Sequence, residues 1–173
     1  MTISLERLNT LDQSDFVAAL AGIFEGPPWI VSDAWAARPF SDVDVLYSAL
    51  CRVMYAAPIE RMVALIQAHP DLVGRAARTG TLGPASTAEQ AAAGLNELTA
   101  DEIATFERLN ADYQQRFGFP FVICARENKK DSIRTGFAQR IGHTRDEEIT
   151  TALGEIAKIC RLRLLDRVRP DGA

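Results

Sequence analysis

The sequence lacks the features that mark membrane, secreted and nucleic-acid-binding proteins. No apolar run approaches the roughly 20 residues that a bilayer-spanning helix needs. The N-terminus does not combine a basic region with an apolar core, and the C-terminus is not a Ser-Lys-Leu peroxisomal address. The net charge of -4 and pI of about 5.2 argue against nucleic acid or an anionic membrane as a partner. We therefore expect a cytoplasmic protein that binds neither.

Motifs for metal and nucleotide chemistry are also missing. Only 2 histidines occur, and no HxxxH, HExxH or Cys-His spacing exists, so we predict no metal site. No Gly-x-Ser-x-Gly, P-loop or Rossmann glycine pattern is present, which leaves a serine hydrolase or a nucleotide enzyme without support. The 3 cysteines are an odd, widely spaced set in apolar settings, which indicates reduced core thiols: Cys51, Cys124 and Cys160.

What the sequence does contain is one helical pattern after another. The length of 173 residues suits a single domain, which we predict to be all-α and to span residues 1–173. Three capping boxes predict helix starts at Ser86–Glu89, Thr99–Glu102 and Thr144–Glu147, with the first helix running through Leu98 and the last being the longest. Only Phe121-Val122-Ile123-Cys124 could form a strand, and it has no obvious partner.

Two segments are predicted to form the walls of one pocket. They are residues 67–76 and residues 117–123. A helix that buries Ile59, Met62, Val63 and Ile66 must break near His69, because His69 directly precedes Pro70. A histidine at a helix break can present its ring to a cavity and titrate near neutral pH. The apolar second segment would supply dry walls and backbone donors. The pair predicts an acid/base enzyme, with a hydrogen-bonded structural histidine as the alternative.

Glu89 has two possible roles. It is the fourth residue of the predicted box that begins at Ser86, so a return hydrogen bond to the Ser86 backbone is the favoured role. Gln90 stands in the same relation to Thr87. One of the two, Glu89 or Gln90, could therefore cap the helix while the other faces the pocket.

Arg163 is an outlier on the last predicted helix. Helical rotation places it within about 20° of Ile156, on the stripe that carries Ile149, Leu153 and Cys160. A buried arginine needs an anion to meet. The partner is either an Asp or Glu of the protein or an anionic or carbonyl-rich substrate.

With these residues in view, the chain resembles the 2-oxo-4-hydroxy-4-carboxy-5-ureidoimidazoline (OHCU) decarboxylases of the urate-to-allantoin pathway. The resemblance runs from near Leu8-Asn9 to about Leu165, with a core of about residues 8–166. Four ordered motifs carry it: His69-Pro70-Asp71-Leu72 with Gly74 and Ala76; Ser86-x-x-Glu89-Gln90-x-x-Ala93-Gly94-Leu95; Leu109-Asn110-x-x-Tyr113 leading into Phe117-Gly118-Phe119-Pro120-Phe121-Val122-Ile123; and Lys158-Ile159 before Leu162-Arg163-Leu164.

The resemblance implies a single-domain bundle of helices, usually a homodimer, that decarboxylates OHCU to (S)-allantoin without a metal or organic cofactor. It implies that His69 is the catalytic histidine, with Glu89 and Arg163 in the same pocket. It also implies a set of substrate-binding residues: Pro70, Ser86, Gln90, Phe119, Phe121, Val122 and Ile123.

In the implied reaction His69 handles the proton, Glu89 orients the substrate hydroxyl or His69, and Arg163 binds a ureido or ring carbonyl oxygen. Urate oxidase and hydroxyisourate hydrolase are the implied functional neighbours.

One departure is visible, because the family commonly has Glu-x-Ser-Pro-Trp where this chain has Glu25-Gly26-Pro27-Pro28-Trp29. Two alternatives stay open: a helical binding or scaffold protein, and a cofactor-free lyase or hydrolase acting on another ureido-ring compound.

Overall fold

The computed structural model describes residues 2–74 and 79–170, so Ala76 of the first motif lies outside the described residues. Nearly all regular structure in these residues is helical, which confirms the all-α prediction. The helices are α1 (Leu5–Thr10), α2 (Gln13–Ala19), α3 (Trp29–Ala34), α4 (Val43–Tyr55), α5 (Ile59–Gln67), α6 (Pro84–Ala92), α7 (Ala100–Phe117), α8 (Lys130–Arg140) and α9 (Arg145–Arg167), with short 3-10 turns at Trp35–Ala37 and Ala125–Glu127.

The described residues group into two compact units. One is drawn from residues 1–62 and 157–173, and the other from residues 63–156. The first unit also contains the strands of the described chain, β1 (Ile3–Ser4) and β2 (Val168–Arg169), which pair in parallel. These two strands were not predicted. A single domain over residues 1–173 stays a prediction.

Capping hydrogen bonds decide where the helices begin. The boxes at Thr99–Glu102 and Thr144–Glu147 are confirmed, because in each the Thr hydroxyl accepts from the Glu N–H and the Glu carboxylate accepts from the Thr N–H. The box at Ser86 is wrong, since Gly83 is the N-cap and Pro84 takes the first helical position, where a missing N–H costs nothing. The predicted end at Leu98 is also wrong: α6 stops at Ala92, before Gly94 at φ +78°.

The core of each unit is made of the apolar faces of its helices. In the second unit the buried side chains include Phe106, Tyr113, Phe117, Phe119 and Phe137. One predicted core face is partly wrong, because on α5 the apolar residues that are buried are Leu65 and Ile66 while Ile59 is 48% exposed. The predicted helix break before Pro70 is confirmed by the end of α5 at Gln67.

The possible strand at residues 121–124 is not a strand. The segment between Gly118 and the 3-10 turn at Ala125–Glu127 has no ladder partner among the described residues. Side chains bind its backbone instead, since Arg140 donates to the Val122 carbonyl and Glu155 accepts from the Cys124 N–H. No helix in the described part of the chain is long and apolar enough to cross a membrane.

The capping carboxylate of Glu147 predicts a pH-dependent contribution to stability. Hydrogen bonds from the Thr144 N–H and then the Thr144 hydroxyl hold the pKa of Glu147 below its usual 4.5. A lowered folded-state pKa stabilises the fold fully above the unfolded pKa, and this contribution is lost as pH falls through the folded pKa. We expect urea unfolding of Glu147→Gln to differ from wild type above pH 4.5 and to converge with it in more acidic solution. A pH-independent difference would contradict this, and the exposed Glu97→Gln serves as control.

Candidate active site

His69 lies at the break after α5, where the chain leaves the helix. Its ring is buried, with 8% of the residue exposed, and Nδ1 is 2.9 Å from the carbonyl oxygen of Leu65. A carbonyl oxygen only accepts, so Nδ1 carries the proton of this bond. The hydrogen bond thereby fixes the ring orientation, and Nε2 becomes the nitrogen at which a proton can be gained or lost.

Helix α6 is tied to the segment after His69 through Gln90. The Gln90 side-chain oxygen accepts from the Val73 N–H at 3.1 Å, and its amide nitrogen donates to the Asp71 carbonyl at 3.4 Å. Val73 has φ +56°, an uncommon conformation for a β-branched residue. Gln90 and Ser86 are both buried, at 7% exposure. Gln90 therefore holds the segment that follows His69 in a strained turn.

Glu89 is half-buried on α6, and the capping role favoured for it is wrong because the N-cap of α6 is Gly83 and not Ser86. Its carboxylate lies within electrostatic range of the Cys124 thiol. Burial raises the pKa of that thiol, and the carboxylates of Glu127, Glu155 and Glu89 raise it further, against a lowering hydrogen bond from the Glu127 backbone. Glu89 is therefore placed near the end of the second predicted wall.

The predicted wall segment is residues 117–123, of which Phe117 ends α7 and Gly118 caps it, so the wall proper is residues 119–123. Gly118 stops α7 in the left-handed region at φ +78°. Phe119, Phe121 and Val122 are buried, whereas Ile123 is half-buried. The Gln67 side chain, two residues before His69, donates to the Gly118 carbonyl at 2.9 Å.

Three segments of the second unit thus converge: the break that carries His69, helix α6 and the wall. Gln67 joins the break to the wall, Gln90 joins the break to α6, and α6 packs against the 3-10 turn that follows the wall. In addition, the Asn110 side chain on α7 donates to the Leu72 carbonyl at 2.8 Å, while no described residue donates a hydrogen bond to its buried oxygen. These contacts place the two predicted segments in one region of the second unit, while the roles of His69, Glu89 and the other predicted site residues stay predictions.

A buried charged cluster next to the wall was not predicted. Arg140 on α8 donates through Nε to Glu148 at 2.8 Å and through Nη1 to the Val122 carbonyl at 2.8 Å. Glu148 is fully buried and also binds the Tyr113 hydroxyl and, at 2.8 Å, His143 Nδ1. The sequence did contain a signal, since Glu148 lies four residues before buried Ala152 on α9, the same rotational argument that singled out Arg163.

Arg163 belongs to the first unit. Its guanidinium is 7% exposed and donates to the Gly22 carbonyl at 2.9 Å and to the Glu25 carboxylate at 3.0 Å. The buried ion pair was one of the two alternatives for this residue, and it is present. Glu25 opens the motif in which Pro27 replaces the family's serine, so the glutamate of that motif is retained and bound. Substrate binding by Arg163 stays a prediction.

An open cavity of about 350 Å³ lies beside α6 and is lined in part by Gln90. His69, Ser86 and Glu89 do not line it, so we do not assign the substrate to it. Its lining residues are Val73, Leu82, Thr87, Gln90, Ala91, Leu95, Asn96, Leu98 and Ile103. Among residues 2–74 and 79–170, no three His, Cys, Asp or Glu side chains are grouped as metal ligands.

Comparison with known proteins agrees with the sequence motifs. The family model described as OHCU decarboxylase matches residues 9–165, the extent predicted from the motifs. The chain is 41% identical over 165 residues to the 2-oxo-4-hydroxy-4-carboxy-5-ureidoimidazoline decarboxylase of Haloferax volcanii, covering 95% of this chain and 96% of that protein. The enzyme of the same name from Amia calva is 36% identical, with 96% and 95% covered.

Two solved structures share the fold. A crystal structure of (S)-allantoin synthase superposes with a TM-score of 0.76 at 22% identity, covering 96% of this chain and 54% of that one. A crystal structure of OHCU decarboxylase in the presence of (S)-allantoin gives a TM-score of 0.69 at 16% identity, with 90% and 97% covered. At these identities the likeness shows the fold alone, which agrees with the all-helical prediction.

Proposed function

Because this chain belongs to the OHCU decarboxylase family, we propose that it converts OHCU to (S)-allantoin as a carboxy-lyase of urate degradation. The observation that carries the proposal is the family match over residues 9–165. The second unit supports the proposal with a buried histidine of defined tautomer and with an apolar wall whose segment is joined to that of the histidine through Gln67. We infer that these groups hold a small polar ring and handle one proton.

The reaction needs no external electron sink. The departing carboxylate is on a ring carbon next to a C=N bond, so the electron pair of the broken C–C bond moves into the ring as CO₂ leaves. The ring nitrogen that receives the electrons is protonated. The hydroxyl-bearing carbon then becomes a carbonyl and releases its hydroxyl proton, while the neighbouring carbon that carries the ureido group gains one proton, so the net reaction takes up one proton. The protein's task is to position the ring, remove water from the carboxylate and deliver that proton to one face.

His69 is the proposed proton carrier, acting through Nε2 because Nδ1–H is committed to the Leu65 carbonyl. Glu89 orients the substrate hydroxyl or His69, and Arg163 is proposed as a further substrate-binding residue. The remaining proposed contacts are Pro70, Ser86, Gln90, Phe119, Phe121, Val122 and Ile123. Their support is the family motif together with the burial of Ser86, Gln90 and the wall.

We also propose that the protein is a cytoplasmic homodimer that takes its substrate from the steps catalysed by urate oxidase and hydroxyisourate hydrolase. The family resemblance supports the dimer. The pathway setting is supported by a similar protein of Bacillus sp., the Uric acid degradation bifunctional protein, of which this chain covers 32% at 36% identity. Size-exclusion chromatography with light scattering tests the dimer: a monomer mass would contradict it.

The direct test of the reaction follows substrate absorbance. OHCU is generated in situ from urate with urate oxidase and hydroxyisourate hydrolase, and its decay is timed with and without this protein. Acceleration supports the proposal. A folded protein that leaves the spontaneous decay unchanged would contradict it and favour a binding role, while a panel of other ureido-ring compounds would detect a different substrate.

Glu89→Gln separates the proposed role of Glu89 from a structural one. Because Gly83 is the N-cap of α6, the loss of this charge removes no helix cap, and the urea midpoint of the variant checks that the fold is intact. Turnover should fall about tenfold or more, in the range of a lost positioning or acid/base contribution. The exposed Glu97→Gln is the matched control. Wild-type turnover in Glu89→Gln would remove Glu89 from the proposed machinery.

A further inference from the structure

Two charged side chains bind the peptide groups on either side of Ile123. Arg140 on α8 donates through Nη1 to the Val122 carbonyl at 2.8 Å. Glu155 on α9 accepts from the Cys124 N–H, also at 2.8 Å. The wall is therefore held at two successive peptide groups by residues of two different helices, and both residues belong to the second unit.

Peptide geometry turns these bonds into a statement about Ile123. In a planar trans peptide the C=O and N–H point in opposite directions. Because the Val122 C=O points to Arg140, the N–H of Ile123 points away from Arg140. Because the Cys124 N–H points to Glu155, the C=O of Ile123 points away from Glu155. Among residues 2–74 and 79–170, no backbone hydrogen bond joins Ile123 to another residue.

Arg140 is itself rigidly held. Glu148 binds its guanidinium, whose carbon lies 4.2 Å from the centroid of the Phe121 ring. The Phe121 ring in turn stacks on Phe137, with centroids 3.8 Å apart. A lysine could not reproduce this set, because Arg140 uses separate nitrogens of one planar group for Glu148 and for Val122. The orientation of the Ile123 N–H is thus set by a packed, charge-neutralised cluster.

We propose that Arg140 and Glu155 are positioning residues that aim the backbone N–H and C=O of Ile123 at the ureide part of the substrate. A ureido or lactam group carries a carbonyl acceptor and an N–H donor side by side, which match one backbone donor and one backbone acceptor. The charge at the far end of each peptide also polarises it, which strengthens the hydrogen bond made at Ile123. The inference rests on the proposed function and on Ile123 as a proposed substrate contact, and it adds Arg140 and Glu155 as the residues that orient the Ile123 peptide groups.

The test compares Glu155→Leu with Glu155→Gln. Leucine removes the acceptor for the Cys124 N–H, while glutamine keeps an oxygen at that place. We expect Glu155→Leu to raise KM for OHCU about tenfold with kcat nearly unchanged, because binding to Ile123 is shared by ground state and transition state. Glu155→Gln should restore most of the wild-type KM. Arg140→Lys should raise KM in the same way, and Asp112→Leu, an exposed carboxylate on α7, is the control.

A purely structural role predicts a different pattern. A poorly folded Glu155→Leu would lose active fraction, which lowers apparent kcat and leaves KM unchanged, and this result would overturn the inference. A backbone NMR readout adds a second measurement, since (S)-allantoin should shift the Ile123 amide resonance in wild type and less in Glu155→Leu. If Glu155→Leu and Arg140→Lys both kept the kcat and the KM of the wild-type protein, this inference alone would be overturned. No turnover by wild type would overturn the proposed function and the inference with it.

Discussion

His69→Ala is expected to lower the turnover of OHCU by about 10²–10⁴-fold, the range over which positioned acid/base groups act. The imidazole is buried, and its Nδ1–H is committed to the Leu65 carbonyl, so the proposed carrier of the proton that the product carbon receives is Nε2. Alanine removes that group. His69→Gln keeps a hydrogen-bonding side chain but cannot cycle a proton, so it should lose nearly as much.

The matched control is His143→Ala, which removes the other histidine of the chain. His143 forms a hydrogen bond with Glu148. We expect the His143→Ala variant to retain a kcat close to that of wild type. Urea unfolding of each variant checks that the fold is intact. Undiminished turnover in folded His69→Ala would remove His69 from the mechanism, and an equal loss in His143→Ala would show that the effect is not specific to His69.

Glu148→Ala should cost about 3–5 kcal/mol of unfolding free energy, the loss typical of breaking a buried ion pair from one side. Glu148 is fully buried and is the charge partner of Arg140, which is 7% exposed. Removing the carboxylate leaves a buried guanidinium without its anion, and it also leaves the Tyr113 hydroxyl without its acceptor. Urea unfolding followed by far-ultraviolet circular dichroism measures the change.

Two matched variants show whether the charge is the cause. Arg140→Met combined with Glu148→Leu removes both charges, so it should be more stable than Glu148→Ala despite the larger change. Tyr113→Phe removes a single hydrogen bond to Glu148 and should cost about 1 kcal/mol. If the unfolding free energy of Glu148→Ala lay within about 1 kcal/mol of the wild-type value, the buried ion pair would not stabilise the fold as expected.

Much of the fold was predictable because short-range rules govern it. The capping boxes at Thr99 and Thr144 act over three residues, the glycine stop at Gly118 acts over one, and the break before Pro70 follows from the proline ring. The box at Ser86 failed because Pro84, two residues earlier, satisfies the first helical position better.

Candidate site residues could be named from the sequence where a family motif marks them, but not where only tertiary contacts create a cluster. His69 and the wall were identified from sequence, and the structure brings their segments together through Gln67. Arg140 was missed because nothing in its local sequence distinguishes a surface arginine at the end of α8 from one that binds Glu148 and Val122. For Arg163, rotation predicted burial, but only the structure shows Glu25 as its partner.

The most direct test of the central claim is the optical activity of the product. OHCU is generated from urate with urate oxidase and hydroxyisourate hydrolase, this protein is added, and circular dichroism is recorded as allantoin forms. We predict rapid growth of the (S)-allantoin signal, well ahead of the slow racemic product that unaided decay gives. Formation of optically inactive allantoin at the spontaneous rate by the folded protein would contradict the claim.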